Sequence, residues 1–592
     1  MKLFSTLAIM EASVSPYMSH ALLNDGLVEA RAYQLEAVDE ALSGSMLLVM
    51  PTAAGKTAVI WMAVAKKLEE EGGRVMMIAP TVGLVDQHLR EMRRIVSLEQ
   101  EAISITGQIS PSKRVGLWES SRLIIATPKV VVNDVNKGVL KLSLFSLLVV
   151  DEAHHCTGEH AMALVCDSFI ADSRAPHIIG VTASPGHRPE SVREICSRTG
   201  AMRIHIRNSE EEMLKGYLSE LEVREISVRV PDEMIELAQP FVIWQRGIVD
   251  RQRRMGRYVL PGMINFAGLS NAMDRAKSAI GRGEVSGYQS VSQIAIGMRL
   301  HHLINCLMSQ GVSASREYLE RLENDEDSGK KSVRDFLRDP RVRDLREKLD
   351  GMEEIHSKIG AVRRMIRERI RRDPESRVIV FANFRDTIAS LHDSLDGLEN
   401  VKAVRFVGQS SRGGREGLSP KNQVARLDEF RRGDANVLLA TSIGEEGLDI
   451  PSADLVIFYE PVSSEIRTIQ RRGRTGRRRL GEVIVLIAEG TRDEGAKASA
   501  LRREENMQRA VHRVRRGLPR THHSDLSNLD GFGVAIEDRI IDADDFVTSE
   551  REKRRTPILE IDGTVTDIDA PAANKLPSES IRPRGQYGLE EF

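Results

Sequence analysis

Two stretches of the chain carry short, unbroken apolar runs separated by longer segments of mixed polarity. In the first the runs are Met46–Met50, Val75–Ala79, Leu123–Ala126, Leu147–Val150 and Ile178–Val181. In the second they are Val378–Phe381, Ala403–Val407, Val437–Ala440, Leu455–Phe458 and Val483–Ile487. A strand with one wet face alternates apolar and polar residues, whereas a strand covered on both faces is apolar throughout. Helix-length segments between the runs then predict two doubly wound parallel sheets, an α/β class. From about Asn208 to Asp350 the strand signal fades, and Leu300, Leu303, Ile304, Leu307 and Met308 recur at helical spacing. Pro231-Asp232 is expected to open a helix, Pro240 to break it, and Gln310-Gly311 to stop another. Past Thr521 the chain turns polar, with Pro571, Pro577 and Pro583 and no period. The expected domains are residues 1–205 and 351–520 for the two sheets, an all-α insert over 206–350, and a weakly structured tail over 521–592.

A chain of 592 residues exceeds one hydrophobic core, which agrees with several domains. Hydrophobic residues at 41% and charged residues at 29% describe an ordinary globular protein. A net charge of −2 gives no global basic field, so any nucleic-acid surface must be local. Arg363, Arg364, Arg367, Arg369, Arg371 and Arg372 crowd one predicted helix and Arg251, Arg253 and Arg254 another. Each patch reads equally as a solvated face or a phosphate contact. Cys156, Cys166, Cys196 and Cys306 form no CxxC pair, which argues against a zinc ribbon or disulfide scaffold and fits a reducing cytoplasm. His154, His155, Cys156, His160 and Cys166 bunch together, but their spacings match no metal-ligand pattern. No apolar run approaches a membrane span, and Leu3–Met10 lacks the marks of a signal peptide.

The chemistry lies at strand ends. Met50 to Thr57 (MPTAAGKT) closes a predicted strand and opens a helix, the context a phosphate loop requires. Backbone N–H groups from Thr52 to Gly55 would cradle phosphate, Lys56 would reach the β and γ phosphates, and Thr57 would hold Mg²⁺. Leu147–Val150 runs into Asp151-Glu152-Ala153-His154. Asp151 would hold Mg²⁺ through water, and Glu152 would orient and deprotonate the attacking water. A Gly-Lys-Thr alone is often only a loop, and an acidic pair at a strand end is sometimes only a turn. Together, in this order, they indicate ATP and Mg²⁺.

With Gly55-Lys56-Thr57 and Asp-Glu-Ala-His the chain resembles a superfamily 2 helicase, which implies two RecA-like motor domains. Arg31-Ala32-Tyr33-Gln34 resembles the adenine-reading Q motif, with Gln34 bidentate to the base. Thr81, Thr106-Gly107 and Thr127 stand in motifs that grip the strand backbone. Thr182-Ala183-Ser184 resembles the motif that couples hydrolysis to grip. Thr441–Ile450 (TSIGEEGLDI) resembles motif V, which implies that Gly447 and Asp449 face nucleotide and strand. Gln470–Arg477 (QRRGRTGR) resembles motif VI, with Gln470 on the nucleotide and Arg474 and Arg477 as arginine fingers. Charge delivered to the γ-phosphate from a second domain is worth ~10³–10⁵ in rate, and planar Arg suits the task.

Several stretches are similar to one family, the archaeal Hef proteins and Fanconi anaemia group M translocases. They are Arg405-Phe406-Val407-Gly408-Gln409, Ser419–Gln423, Phe458–Val462 leading into motif VI, and, in the insert, Ser309–Val312 with Tyr318-Leu319. The likeness covers roughly Leu22 to Gly490. It implies a 3′→5′ DNA helicase acting on forked or branched DNA, with the insert, and Arg251, Arg253 and Arg254 in it, gripping the branch. Two departures stand out. Ala53 replaces a Gly common in this phosphate loop, and Glu550-Arg551-Glu552-Lys553 is not the Glu-Arg-Lys core of the family's nuclease. No nuclease activity is therefore expected of this chain, and a nuclease would be a separate partner. A double-stranded RNA translocase, or an adaptor that only binds DNA, are the competing readings; intact Lys56, Asp151, Glu152, Arg474 and Arg477 weigh against the adaptor. The final Gln586-Tyr587-Gly588-Leu589-Glu590-Glu591-Phe592 resembles a sliding-clamp-binding box. There Leu589 and Phe592 would share one apolar pocket and Gln586 would anchor the turn.

Overall fold

The computed structural model describes residues 15–51, 54–208, 211, 214, 223–324, 331–407, 420–441, 453–461, 482–519, 525–537 and 539–555. A short strand, β1 (Tyr17–Ser19), precedes the first motor sheet. That sheet contains β2 (Met46–Val49), β3 (Val75–Ile78), β4 (Ile103–Ile105), β5 (Leu123–Ala126), β6 (Leu147–Asp151), β7 (Ile178–Thr182) and β8 (Arg203–Ile206). Its order is β4-β5-β3-β6-β7-β2-β8, parallel throughout. Every residue of β2, β3, β5, β6 and β7 is buried, as their unbroken apolar runs require. Helices Lys56–Glu69 and Val82–Ile95 fill one face with Val59, Trp61, Val64, Val85 and Met92. Helices Ala161–Asp172 and Pro189–Arg198 fill the other with Met162, Val165, Phe169 and Val192.

The second motor sheet has the same construction. It contains β9 (Val223–Val228), β10 (Val378–Ala382), β11 (Ala403–Phe406), β12 (Val437–Thr441), β13 (Leu455–Phe458) and β14 (Glu482–Ala488). Its order is β11-β12-β10-β13-β14-β9, again all parallel. β9 lies in the stretch expected to be wholly helical. It is an edge strand, largely exposed and polar, so it lacks the apolar run that marks its neighbours.

The helices between β9 and β10 form two apolar cores. Phe241, Leu300, Leu303, Tyr318 and Phe336 make one, and Val249, Tyr258, Leu269 and Ala272 the other. Pro240 does not break its helix, which runs from Asp232 to Arg254 through it. The ring removes one N–H, but Met234, Ala238, Phe241 and Ile248 bury one continuous face, and that packing outweighs the lost bond. The helix Ser286–Asn305 passes into a π-turn, Cys306–Gln310, which ends at Gly311 with φ 116° as the Gln-Gly pair suggested.

Residues 525–555 differ from the expected irregular tail. The helix Arg492–Gly517 leaves the second sheet and puts Ala510, Val511 and Val514 into the first domain's core. Strands β15 (Gly533–Ile536) and β16 (Arg539–Asp542) then join β1 in a small antiparallel sheet, order β1-β15-β16. Leu526, Leu529, Phe532 and Val534 belong to the same core as helix Ala32–Leu42. Asn528 donates its backbone N–H and side-chain amide to Asp39, at 3.1 and 3.0 Å. The helix Ala543–Arg555 follows, and from Thr548 on the chain belongs to a separate unit. Among the described residues no helix is long and apolar enough to cross a membrane.

Candidate nucleotide and nucleic-acid site

Because the strands of the first sheet are parallel, their carboxyl ends share one edge, where open α/β sheets bind ligands. Following the strand order, that edge presents Thr106-Gly107 after β4, Thr127 after β5, Thr81 after β3, Asp151-Glu152 after β6, Thr182–Ser184 after β7, and the phosphate loop after β2. Motifs scattered over more than a hundred residues thus fall into one row.

The nucleotide half is built on backbone. Gly55 has φ 81°, in the left-handed region, and caps the helix that begins at Lys56. A side chain there would be strained, and its Cβ would come within 2.0 Å of Gln34 Nε2. The N–H groups of a helix start favour an anion, and Lys56 and Thr57 stand in its first turn, half-buried. Gln34 is buried, and its Nε2 donates to the Ala54 carbonyl at 3.0 Å, a carbonyl that also accepts from Tyr33 O–H at 3.0 Å. One arm of the Gln34 amide is therefore engaged by the loop rather than available to a base. Its Oε1 is buried with no donor among the described residues, and an adenine amino group would supply one. The orphaned acceptor and the glycine-only cradle fit an adenine nucleotide with its Mg²⁺.

Asp151 is buried at the end of β6, and its Oδ2 lies 2.8 Å from His88 Nε2. Burial works to raise the Asp151 carboxyl, but His88 and Lys56 outweigh it and hold the pKa below the usual range. Burial likewise works to lower the His88 imidazole, and the Asp151 carboxylate outweighs it and leaves the pKa raised. Glu152 adopts φ 52°, ψ 48°, a conformation costing about 1–3 kcal/mol outside glycine. Its Oε2 sits 3.2 Å from His154 Nδ1, which is 3.1 Å from Thr182 Oγ1. That hydroxyl accepts from the Ser184 N–H at 3.1 Å. Glu152, His154, Thr182 and Ser184 are thereby one contiguous polar chain.

On the other half Thr81 is exposed and caps helix Val82–Ile95, its Oγ1 accepting from Leu84 N–H at 3.3 Å. Thr127 occupies the N-cap position of helix Pro128–Asn136 without a side-chain bond to it. Thr106 is buried, its hydroxyl accepting from Gln108 N–H at 3.4 Å, while Gly107 is exposed with open space around it. Arg251, Arg253 and Arg254 are exposed in the last turn of the insert helix Asp232–Arg254, with Arg253 paired to Asp250 at 3.1 Å. His88 has no signature in the sequence, because a histidine two turns into an amphipathic helix carries no local signal. The same holds for Arg114, whose guanidinium clasps buried Asp134 through two bonds of 2.7 Å and ties the helix after β4 to the helix after β5. Thr52, Ala53, Gly447, Asp449, Gln470, Arg474, Arg477, Gln586, Leu589 and Phe592 lie outside the described residues.

The decisive likeness is to the crystal structure of the Pyrococcus furiosus Hef helicase domain. The match covers 81% of this chain and 100% of that one, with TM-score 0.62 and 34% identity. The chain belongs to the Hef/FANCM-type superfamily 2 helicases. Within this Hef/FANCM-type chain, residues 31–192 match the DEAD/DEAH box helicase family and residues 357–479 the helicase conserved C-terminal domain. Residues 269–356 match the helical bundle of a putative ATP-dependent RNA helicase family. A putative ATP-dependent RNA helicase of Methanocaldococcus jannaschii is 33% identical over 84% of this chain and 62% of its own length. The ATP-dependent DNA helicase mph1 of Neurospora crassa is 29% identical over 78% of this chain and 41% of its own. The DEAD-box ATP-dependent RNA helicase FANCM of Arabidopsis thaliana is 30% identical over 79% and 35%. The chain thus spans between about a third and three fifths of these curated relatives.

Proposed function

We propose that the protein is an ATP-driven 3′→5′ translocase on forked or branched DNA. The observation that carries this reading is the single edge on which nucleotide-binding and strand-gripping residues stand side by side, joined by the Glu152–His154–Thr182–Ser184 chain. Bound ATP with Mg²⁺ supplies the phosphoanhydride whose cleavage drives the cycle. Lys56 neutralises phosphate charge, Thr57 and Asp151 hold the cation, and Glu152 accepts the proton of the attacking water. Arg474 and Arg477 bring charge from the second motor domain and Gln470 contacts the nucleotide, so nucleotide binding closes the cleft between the domains. Gly447 and Asp449 face nucleotide and strand. His154 and Thr182 relay the state of Glu152 to Ser184, beside the strand gripped by Thr81, Thr106, Gly107 and Thr127. Arg251, Arg253 and Arg254 contact phosphates of the branch. A sliding clamp bound through Gln586, Leu589 and Phe592, and a separate nuclease, are the proposed partners.

Duplex RNA is the second substrate to weigh, because the insert matches a family described as an RNA helicase bundle. The deciding experiment compares ATP hydrolysis on DNA forks, junctions, single strands and duplex RNA at matched salt, with unwinding of 3′- and 5′-tailed duplexes. Forks should stimulate most and only 3′-tailed duplexes should open. Greater stimulation by duplex RNA would replace the DNA reading.

A further inference from the structure

Three elements meet at His88. The residue stands two turns into the helix that Thr81 caps, its ring lies edge-on to Trp61 of the phosphate-loop helix at 6.0 Å, and its Nε2 lies 2.8 Å from Asp151 Oδ2. Its other ring nitrogen is buried without a partner, so the Asp151 contact is the only hydrogen bond this imidazole makes among the described residues. A polar ring buried at such cost in the first domain's core, with one bond to show for it, is oriented by that bond. The bond engages one carboxylate oxygen, and the Glu152 N–H and Lys56 also bear on the carboxylate that a cation would share. We propose that His88 is a positioning residue that fixes the Asp151 carboxylate for Mg²⁺ and ties it mechanically to the strand-gripping helix. A shift of that helix on nucleic acid then moves the carboxylate directly, a shorter path than the Thr182 relay. The inference rests on the reading that Asp151 holds the cation and that Thr81 touches the strand.

The test uses full-length protein and a fluorescent methylanthraniloyl-ADP, whose binding is titrated with Mg²⁺ and repeated in EDTA. His88→Leu should raise the Mg²⁺ concentration for half-maximal binding by about 10–100-fold, the usual cost of losing a partner behind a metal ligand. Binding in EDTA should be unchanged. His88→Gln, which keeps an N–H donor, should recover most of the loss. Saturating forked DNA should lower the wild-type Mg²⁺ requirement about fivefold or more, and not that of His88→Leu. A normal Mg²⁺ requirement in His88→Leu, equal loss in His88→Gln, or lost binding in EDTA would each overturn the positioning role. A persisting DNA effect in His88→Leu would overturn the mechanical tie. Asp151→Asn serves as the reference: if it leaves the Mg²⁺ requirement unchanged, the underlying assignment of Asp151 fails instead.

Discussion

In the first motor sheet the carboxylates at the end of β6 stand on the binding edge. Asp151 is steadied by His88 and Glu152 by His154. In the second sheet the buried charge faces the insert. Lys358, wholly buried, donates to Asp493 at 2.5 Å and to the Tyr459 carbonyl at 2.7 Å. Tyr459 O–H donates to the Gln310 carbonyl at 3.2 Å, and Thr387 O–H to the Gln310 side chain at 2.7 Å. These bonds grip the π-turn that ends the insert's long helix, so the insert is fastened to the second sheet. Two sheets with the same apolar construction therefore place charge differently at their strand ends, one to present chemistry and the other to anchor a neighbour. A buried pair is weak evidence for stability, but removing one partner strands the other.

If that contrast holds, substitutions on the first sheet should change rate and those on the second should change stability. Glu152→Gln should bind ATP yet lower turnover by about 10²–10⁴-fold, and Lys56→Ala should abolish it through lost phosphate contacts; steady-state hydrolysis and nucleotide binding measure both. Near-normal turnover in Glu152→Gln would remove Glu152 from the chemistry. Lys358→Met should cost about 3–5 kcal/mol in denaturant unfolding, because the Asp493 carboxylate is left buried and unpaired. Lys358→Met with Asp493→Leu should recover much of that, and a single variant as stable as wild type would show that the junction is not held by charge.

Glu460 sharpens the comparison through pH. It accepts from Asn383 N–H at 3.1 Å, and burial pushes it from 4.5 up to about 7. The fold prefers its neutral form, so its contribution is complete below pH 4.5 and is lost as pH rises through 7. Glu460→Gln should match wild type at low pH and exceed its stability at pH 8, by an amount on the order of a few kcal/mol. Identical pH profiles for the two proteins would place Glu460 in a wetter site than the structure shows. The smallest effect belongs to the insert surface. Replacing Arg251, Arg253 and Arg254 by Ala should weaken fork binding and flatten its salt dependence by about 0.9 in log–log slope per lost phosphate contact, with DNA-free ATPase unchanged. An unaltered slope would remove these arginines from the interface.

The sheets were legible because their central strands are buried on both faces, and Val378–Ala382 or Leu147–Val150 then has no polar position to blur the signal. Of the edge strands, β11 was legible from its apolar run, and β9 and β8 were not. β9 is exposed at most of its positions, and Arg203–Ile206 alternates polar with apolar like many loops. The nucleotide residues Lys56, Thr57, Asp151 and Glu152 could be found because their chemistry demands contiguous residues at a strand end. His88, Arg114 and Lys358 could not, since each meets its partner across 63, 20 and 135 positions, and nothing local announces the meeting. The motif alone puts Gln34 on the base, while the structure turns half of its amide toward Ala54.

The return of the chain to its beginning has a consequence for biosynthesis. Asp39 and Asn528 are 489 residues apart, and β1 pairs with β15 across a comparable span. N-terminal domains usually fold as they leave the ribosome, at about 5–20 residues per second. Here Met18, Val38 and Ala41 share their core with Leu526, Phe532 and Val534, so that part of the first domain stays open while the insert and the second domain are made. At the same rates the wait is about 25–100 s, during which apolar surface around helix Ala32–Leu42 is exposed to chaperones and proteases. A nascent chain stalled before residue 525 would therefore carry every ATPase motif and still lack the segment that seals the helix bearing Gln34.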